Sequence, residues 1–350
     1  MDPSAHPVPA GTIEPEPEPA AGTMRPLSPA DLARIAAIAG RAPSLHNSQP
    51  WRFRAGRFSV DVLADRTRQL RRADGTGREL LISCGAALFG VRLGMRALGH
   101  LPAAELFPDP DRPDVLARVR LAGRAAITAH EGELLAAVPH RHTHRGGFAP
   151  GDISPRLIAG MRIDAAAEQA GLLVLADPDQ VALMAGLVLR AAREQAASPE
   201  LVGETASWVR SAAEPARDGV PAFALAPEYD RAAADPRWLP QRDFGISGTA
   251  PGGEPPSVTA VISTPGDSPA DWIQAGQAMH RMLLRAACRW VFASLQSQPL
   301  ESAGLRAELR SGLGLAGHPQ LVLQLGRANT AAPTARRGPD QTLIVDQAMR

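Results

Sequence analysis

Two stretches of the chain repeat one spacing of apolar residues. Leu81, Cys84, Leu88, Val91, Met95 and Leu98 recur at three and four, and Trp272, Met279, Leu283, Ala286, Ala287 and Trp290 do likewise, so each stretch predicts a long amphipathic helix. A short β-prone run precedes each helix, at 58–63 and 258–262, and another follows, at 116–121 and 321–325. Ser28-Pro29 and Ser154-Pro155 both read as an N-cap with proline at the first helical position, each opening an Ala-rich helix.

These elements describe an α+β plan written twice. Leu81-Ile82-Ser83-Cys84-Gly85 aligns with Trp272-Ile273-Gln274-Ala275-Gly276 at an offset of 191, whereas the two N-cap serines are 126 apart. The second copy therefore carries 65 extra residues, which fall between about 172 and 257. Asp177-Pro178 starts a helix running to Ala197, and a further helical piece follows near Leu201 to Ser211. Beyond it, about 215–256 is rich in Pro, Gly, Asp and Arg yet keeps Phe223, Tyr229, Trp238 and Phe244, which favours an ordered flap over a disordered linker. The expected organisation is a disordered tail at 1–24, a first half at 25–135 and a second half at 136–350 that contains this insertion.

Composition narrows the class. At 350 residues and 45% hydrophobic, the chain has enough apolar material for a large core. A net charge of +1 argues against broad nucleic-acid binding or polybasic membrane attachment. Cys84 and Cys288 lie far apart inside apolar helical patterns, as core residues of a cytoplasmic protein would. No apolar run is expected to reach membrane-spanning length, and the amino terminus lacks the basic-then-apolar order of a signal peptide. Residues 1–24 are Pro/Glu/Ala low complexity with almost nothing to bury.

Three segments carry candidate chemistry. Pro43-Ser44-Leu45-His46-Asn47-Ser48-Gln49-Pro50-Trp51 sets a hydroxyl, two amides and an indole between prolines; it reads as a rigid polar loop offered to a ligand, or as a turn with Trp51 opening a strand. His140-Arg141-His142-Thr143-His144-Arg145, if extended, puts Arg141, Thr143 and Arg145 on one face and three histidines on the other. Two guanidiniums around a hydroxyl suit a phosphate, although a solvated basic turn has the same composition. The histidines suggest Zn²⁺ or Ni²⁺, but no carboxylate or cysteine cluster nearby completes a shell, so no metal site is assigned. A late basic pair, Arg336-Arg337, follows the last strand, where the first copy offers only Arg124. There is no GxSxG elbow, HExxH helix or P-loop, and no GxGxxG follows a strand.

Taken together, PSxHNxQPW at 43–51, GRELLISCGAAL at 77–88, RxTxR at 141–145 and the late Arg-Arg resemble the Acg subfamily of FMN-dependent nitroreductase-like proteins. The likeness runs from about 28 to 345. It implies a nitroreductase-like fold of two fused copies forming an intramolecular pseudo-dimer, with the insertion folded over the flavin as a lid. FMN would be held at its phosphate by Arg141, Thr143, Arg145 and Arg336 or Arg337. Ser44, Asn47 and Gln49 would reach across from the first copy. Leu300, Glu301 and Ser302 would lie over the ring, with the Ser302 amide at flavin N5, unless Glu301 is an ordinary helix-terminal acid.

The implied activity is hydride transfer through flavin N5, from NAD(P)H as candidate donor to a nitro, quinone or enone acceptor. Two other readings stand beside it: an FMN-sequestering or storage protein whose lid excludes NAD(P)H, and a dedicated biosynthetic flavin oxidase or dehydrogenase. In the last, Tyr229, Trp238 and Phe244 would line the substrate pocket, or else pack the lid onto the core. The expected partner is a small-molecule substrate, with no nucleic acid and no membrane. The chain would act as a monomer that is its own pseudo-dimer, with further homodimerisation left open.

Overall fold

The structure of the protein is a computed structural model that describes residues 25–211, 216–225, 237, 239, 242–244, 255–329 and 334–345. The tail at 1–24, most of the 215–256 insertion, and Tyr229 and Trp238 within it lie outside the described residues.

The chain first builds α1 (Pro29–Ala39), β1 (Trp51–Ala55), β2 (Ser59–Ala64), α2 (Arg78–Ala97), β3 (His100–Leu106), β4 (Val115–Arg124) and α3 (Ala129–Ala137). There follow α4 (Pro155–Ala167), β5 (Gly171–Val174), α5 (Pro178–Ala196), α6 (Pro199–Ser207), β6 (Val209–Arg210), β7 (Val220–Pro221) and β8 (Val258–Thr264). The rest is α7 (Pro269–Ala287), β9 (Val291–Leu295), α8 (Gln298–Glu301), α9 (Ala303–Gly312), β10 (His318–Arg327), α10 (Pro339–Thr342) and β11 (Leu343–Ile344).

The helix starts follow from local chemistry. Ser28, Ser154 and Ser268 each accept a hydrogen bond from the backbone N–H three residues on, and proline follows each one. The serine satisfies one orphan donor of the first turn, while proline fills a position that lacks a partner anyway.

Two sheets frame two central helices. One has the order β11-β1-β2-β4-β3 and the other β5-β8-β10-β9. Neighbours are antiparallel except β1 and β11, which run parallel with Phe53 opposite Leu343. The last described strand thus completes the sheet built by residues 51–124, an exchange that a boundary near residue 136 does not anticipate.

Helices α2 and α7 make the most extensive contact between any two described elements. On α2 every residue but Arg92 and Ala97 is buried. Glycine allows the close approach: a Cβ on Gly85 would stand 2.2 Å from the Ile273 carbonyl oxygen, and one on Gly276 1.9 Å from that of Ile82. The core that surrounds this crossing is continuous, taking Trp51, Phe53 and Val62 from one sheet and Ile262, Leu323 and Leu325 from the other. Each such side chain, fully buried, contributes about 1.5–3 kcal/mol.

One expectation is corrected here. Helix α2 is 20 residues long with a mean hydropathy of 1.4, so by length and composition it could cross a membrane. However, 89% of its most apolar 18-residue stretch is buried inside the fold, as befits a core helix.

A polar network clamps the outer side of the helix pair. Asp164 on α4, wholly buried, accepts from Arg281 and Arg285 of α7 and faces His130 of α3 at 3.3 Å. Next to it Glu168 accepts from Arg281 and from Arg92 of α2.

Candidate functional site

The 43–51 segment is a loop with a single 3₁₀ turn, and its backbone is strained. His46, Asn47 and Gln49 hold φ values of 47°, 56° and 51°, a region where a Cβ is poorly tolerated. Long-range hydrogen bonds hold it there. The Asn47 amide donates to the carbonyls of Gly219 (3.0 Å) and Ala335 (3.1 Å), and the Gln49 amide to that of Arg217 (2.8 Å). Arg337 closes the clamp: its backbone N–H donates to Gln49 Oε1 at 2.8 Å and its guanidinium to the Gln49 carbonyl at 2.9 Å. Trp51 is fully buried and opens β1.

Beside this loop lies a cleft enclosing ≈ 760 Å³ of non-atom space, part of it open to solvent. Ile82, Met279, Leu321 and Val322 give it an apolar floor, with Ile82 and Met279 supplied by the two crossing helices. Ser44, Ser83, Gln296, Ser297 and Gln298 add polar walls. Phe244 and Arg242, from the described part of the insertion, also line it. The Phe244 ring sits 5.0 Å from that of His46, while Arg242 is ion-paired with Glu301.

Arg145 and Thr143 close one end of the cleft, and Arg145 belongs to a crowd of cations. Burial pushes Arg145 down to about 10, and burial with Arg41 beside it does the same to Arg141. Arg336 lies well below the usual arginine range because it is buried, with Arg141, Arg41 and Arg145 around it. No carboxylate contributes to any of these shifts. Arg141 spends one nitrogen on the Arg41 carbonyl (2.8 Å), and its Nε and Nη1, like the Nε of Arg336, are buried without a partner. Like charges gathered in low dielectric with free donors have the chemistry to hold an anion.

The placements of the sequence-derived residues divide accordingly. Ser44, Thr143 and Arg145 line the cleft, and Arg141 and Arg336 stand behind Arg145. The histidines between them turn away to pack, His142 on Phe292 with ring centroids 4.3 Å apart and His144 on Phe148 at 4.6 Å. Asn47, Gln49 and Arg337 hold the loop and face the 217–219 and 335–337 backbone instead of the cleft. Leu300, Glu301 and Ser302 are also absent from its lining. Pro299 lies in the first turn of α8, and Leu300 after it packs into an apolar cluster with Met184, Leu305 and Leu309. Glu301 takes its bonds from Ser297 and Gln195, both at 2.8 Å, and Ser302 borders an outer surface cleft. The turn before it, Gln296 to Gln298, occupies the wall.

Among the titratable residues of the cleft and the arginine group, four were missed: Arg41, His46, Glu79 and Arg242. His46 and Glu79 sit inside the quoted motifs, so their position was visible though their exposure to the cleft was not. His46 is buried with neither ring nitrogen partnered, and burial, with Arg242 and Arg145 near, keeps it neutral. Glu79, buried and paired with Arg78, is pushed up to about 7 by burial, with Asp74 and Glu301 adding to the effect.

No protein-family model matches the chain. It is similar to a Mycobacterium tuberculosis protein provisionally named NAD(P)H nitroreductase, at 30% identity over 318 residues that cover 88% of this chain and 90% of the relative. A second protein of that organism, acg, also provisionally named NAD(P)H nitroreductase, is 28% identical over 300 residues, covering 83% of this chain and 87% of the relative. Among solved structures, a nitroreductase with bound FMN from Desulfitobacterium hafniense aligns at 14% identity and a TM-score of 0.39, over 61% of this chain and 98% of its own. A nitroreductase-like protein from Bacillus cereus aligns at 13% identity and a TM-score of 0.38, over 61% and 96%.

Proposed function

Because this chain belongs to the Acg-like family of nitroreductases, we propose that it is an FMN-dependent oxidoreductase whose flavin occupies the cleft between the 43–51 loop and the two crossing helices. The observation that carries the reading is the group of arginines at one end of that cleft, gathered without an acid and keeping buried N–H donors free. A phosphate dianion is what such a group lacks. Arg145, Arg141 and Arg336 would hold it by charge-assisted hydrogen bonds, and the apolar floor of Ile82, Met279, Leu321 and Val322 suits a flat ring system.

Once bound, the flavin would supply hydride chemistry, taking a hydride from NAD(P)H and passing it to a nitro, quinone or enone acceptor. The protein's own part is to bind, orient and exclude water. The strained 43–51 loop fixes Ser44 and His46 at the rim, and His46, held neutral, offers one donor and one acceptor to whatever lies there. We also read the chain as an internal pseudo-dimer. Its support is the reciprocal contact of Gly85 with Ile273 and Gly276 with Ile82, positions related by the 191-residue offset, as residues are across a two-fold axis.

A second reading, FMN sequestration, draws on Phe244 and Arg242, which bring the insertion over the cleft. One experiment separates the two. Protein reconstituted with FMN is given NADPH, with and without menadione or a nitroaromatic. Acceptor-dependent NADPH oxidation establishes the oxidoreductase. Flavin that stays bound and oxidised until residues 215–256 are deleted establishes sequestration, and a colourless protein that takes up no FMN refutes both.

A further inference from the structure

A second cleft, enclosing ≈ 710 Å³ of non-atom space, opens on the outer side of the start of α2, lined by Asp74, Arg78, Glu301 and Arg306 among others. One residue borders both this outer cleft and the ligand cleft within: Glu79. Its side chain is 6% exposed, Arg78 binds its Oε1, and Oε2 has no protein donor among the described residues. The backbone beneath is fixed, because Asp74 accepts from the N–H groups of Glu79 (3.0 Å) and Leu80 (2.8 Å), and Arg78 donates to Gln320 at 2.8 and 3.0 Å.

The charges around it leave room for one proton. Facing Glu79 are Arg78 from the start of α2, Asp74 from the loop before it, Glu301 from α8 and Arg242 from the insertion, with Arg72 and Arg306 along the outer cleft and His46 and Arg145 across the ligand cleft. Three buried acids meet two buried guanidiniums, and burial penalises the unbalanced charge. Of the titratable groups lining the ligand cleft, Arg145 stays charged and His46 stays neutral around neutral pH. That leaves Glu79 to exchange a proton there, since burial pushes it up to about 7.

Resting on the oxidoreductase reading, we propose that Glu79 is the proton donor of the ligand cleft, relaying protons from the outer cleft to the acceptor being reduced. Converting a quinone to a hydroquinone consumes one hydride and one proton. The hydride is the cofactor's to give; the proton must come from elsewhere. The Glu79 O–H bond breaks as a new O–H bond forms on the quinone oxygen, and the carboxylate left behind regains its proton from water in the outer cleft. A carboxylic acid matched to the operating pH is the efficient donor for such a step.

The test pairs E79Q with E79D in FMN-loaded protein. Infrared difference spectra recorded across pH 5–9 should contain a protonated-carboxyl band that titrates near neutrality and vanishes in E79Q. With menadione as acceptor, the wild-type rate should fall as pH rises through that titration. E79Q should lose this limb and about a hundredfold in kcat, with flavin content unchanged, and E79D should restore the limb. A wild type without the band, or an E79Q enzyme with the wild-type rate and profile, overturns the proposal. A protein that binds no FMN fails the functional reading instead, and the infrared titration still decides whether Glu79 holds a proton.

Discussion

Gly276 meets the carbonyl oxygen of Ile82 so closely that a Cβ would stand 1.9 Å away, while the matching Gly85 meets Ile273. The obstacle on both sides is helix backbone, which cannot swing aside as a side chain can. Gly276→Ala should therefore force α2 and α7 apart and cost about 3 kcal/mol or more, at the upper end of overpacking effects. Gly186 in α5 has nothing within 4 Å of its virtual Cβ, so Gly186→Ala should be neutral or stabilise by up to about 1 kcal/mol. Chemical denaturation of both variants checks the contrast, and equal stabilities would contradict this account of the crossing.

Arg336 and Arg337 are adjacent in sequence but do different work. Arg336→Ala removes a buried cation from the anion site and should weaken FMN binding by roughly 10- to 100-fold, in line with a lost charge-assisted hydrogen bond. Arg141→Ala combined with Arg336→Ala should abolish detectable retention of the flavin. Arg337→Ala removes the clamp on Gln49, so its principal effect should be faster amide exchange across 43–51. Fluorescence titration with FMN and hydrogen exchange read the two outcomes separately.

How far the sequence foretold this arrangement depends on whether a feature is local. The long helices, the N-cap serines and the β-prone runs at 58–63, 116–121, 258–262 and 321–325 all correspond to observed elements, because periodicity and capping act within a few residues. Alternation alone placed Arg141, Thr143 and Arg145 apart from their neighbouring histidines, as the packing of His142 and His144 on aromatic rings shows. What the sequence withheld is long-range. Nothing in Leu343-Ile344 says that two residues will pair with β1, and nothing in Arg336-Arg337 says which will meet Gln49. The misplacement of Leu300, Glu301 and Ser302 has the same origin: a proline within a one-turn helix decides which turn faces the cleft.

Asp164 is buried among Arg281, Arg285 and His130, tying α4 to α7 and α3. Asp164→Asn keeps the shape but strands the Arg285 guanidinium without its anion, while Arg281 keeps only Glu168. A cost of about 1–3 kcal/mol is expected, that of charge-assisted hydrogen bonds lost at a buried acceptor whose arginine partners keep some contact with water. Thermal melts would reveal it, and a change within 0.5 kcal/mol (about what a surface substitution costs) would mean that the network is already solvated.

Glu79 should also leave its mark on stability, whatever its part in turnover. In the unfolded chain it titrates as an ordinary glutamate, near 4.5, whereas in the fold it holds its proton up to about 7. Between these values the native state binds more protons than the unfolded state, so stability falls as pH rises through that window. Below it both states are protonated and the penalty is absent; above it the penalty is complete. Glu79→Gln removes the titration without removing the volume. The variant should match wild type near pH 4.5 and become the more stable of the two by pH 8, the gap opening mainly between those points. Denaturant unfolding at a series of pH values measures it directly. A gap that is constant with pH would place the folded titration at the unfolded value, and one that opens toward acid would place it lower; either contradicts a raised Glu79.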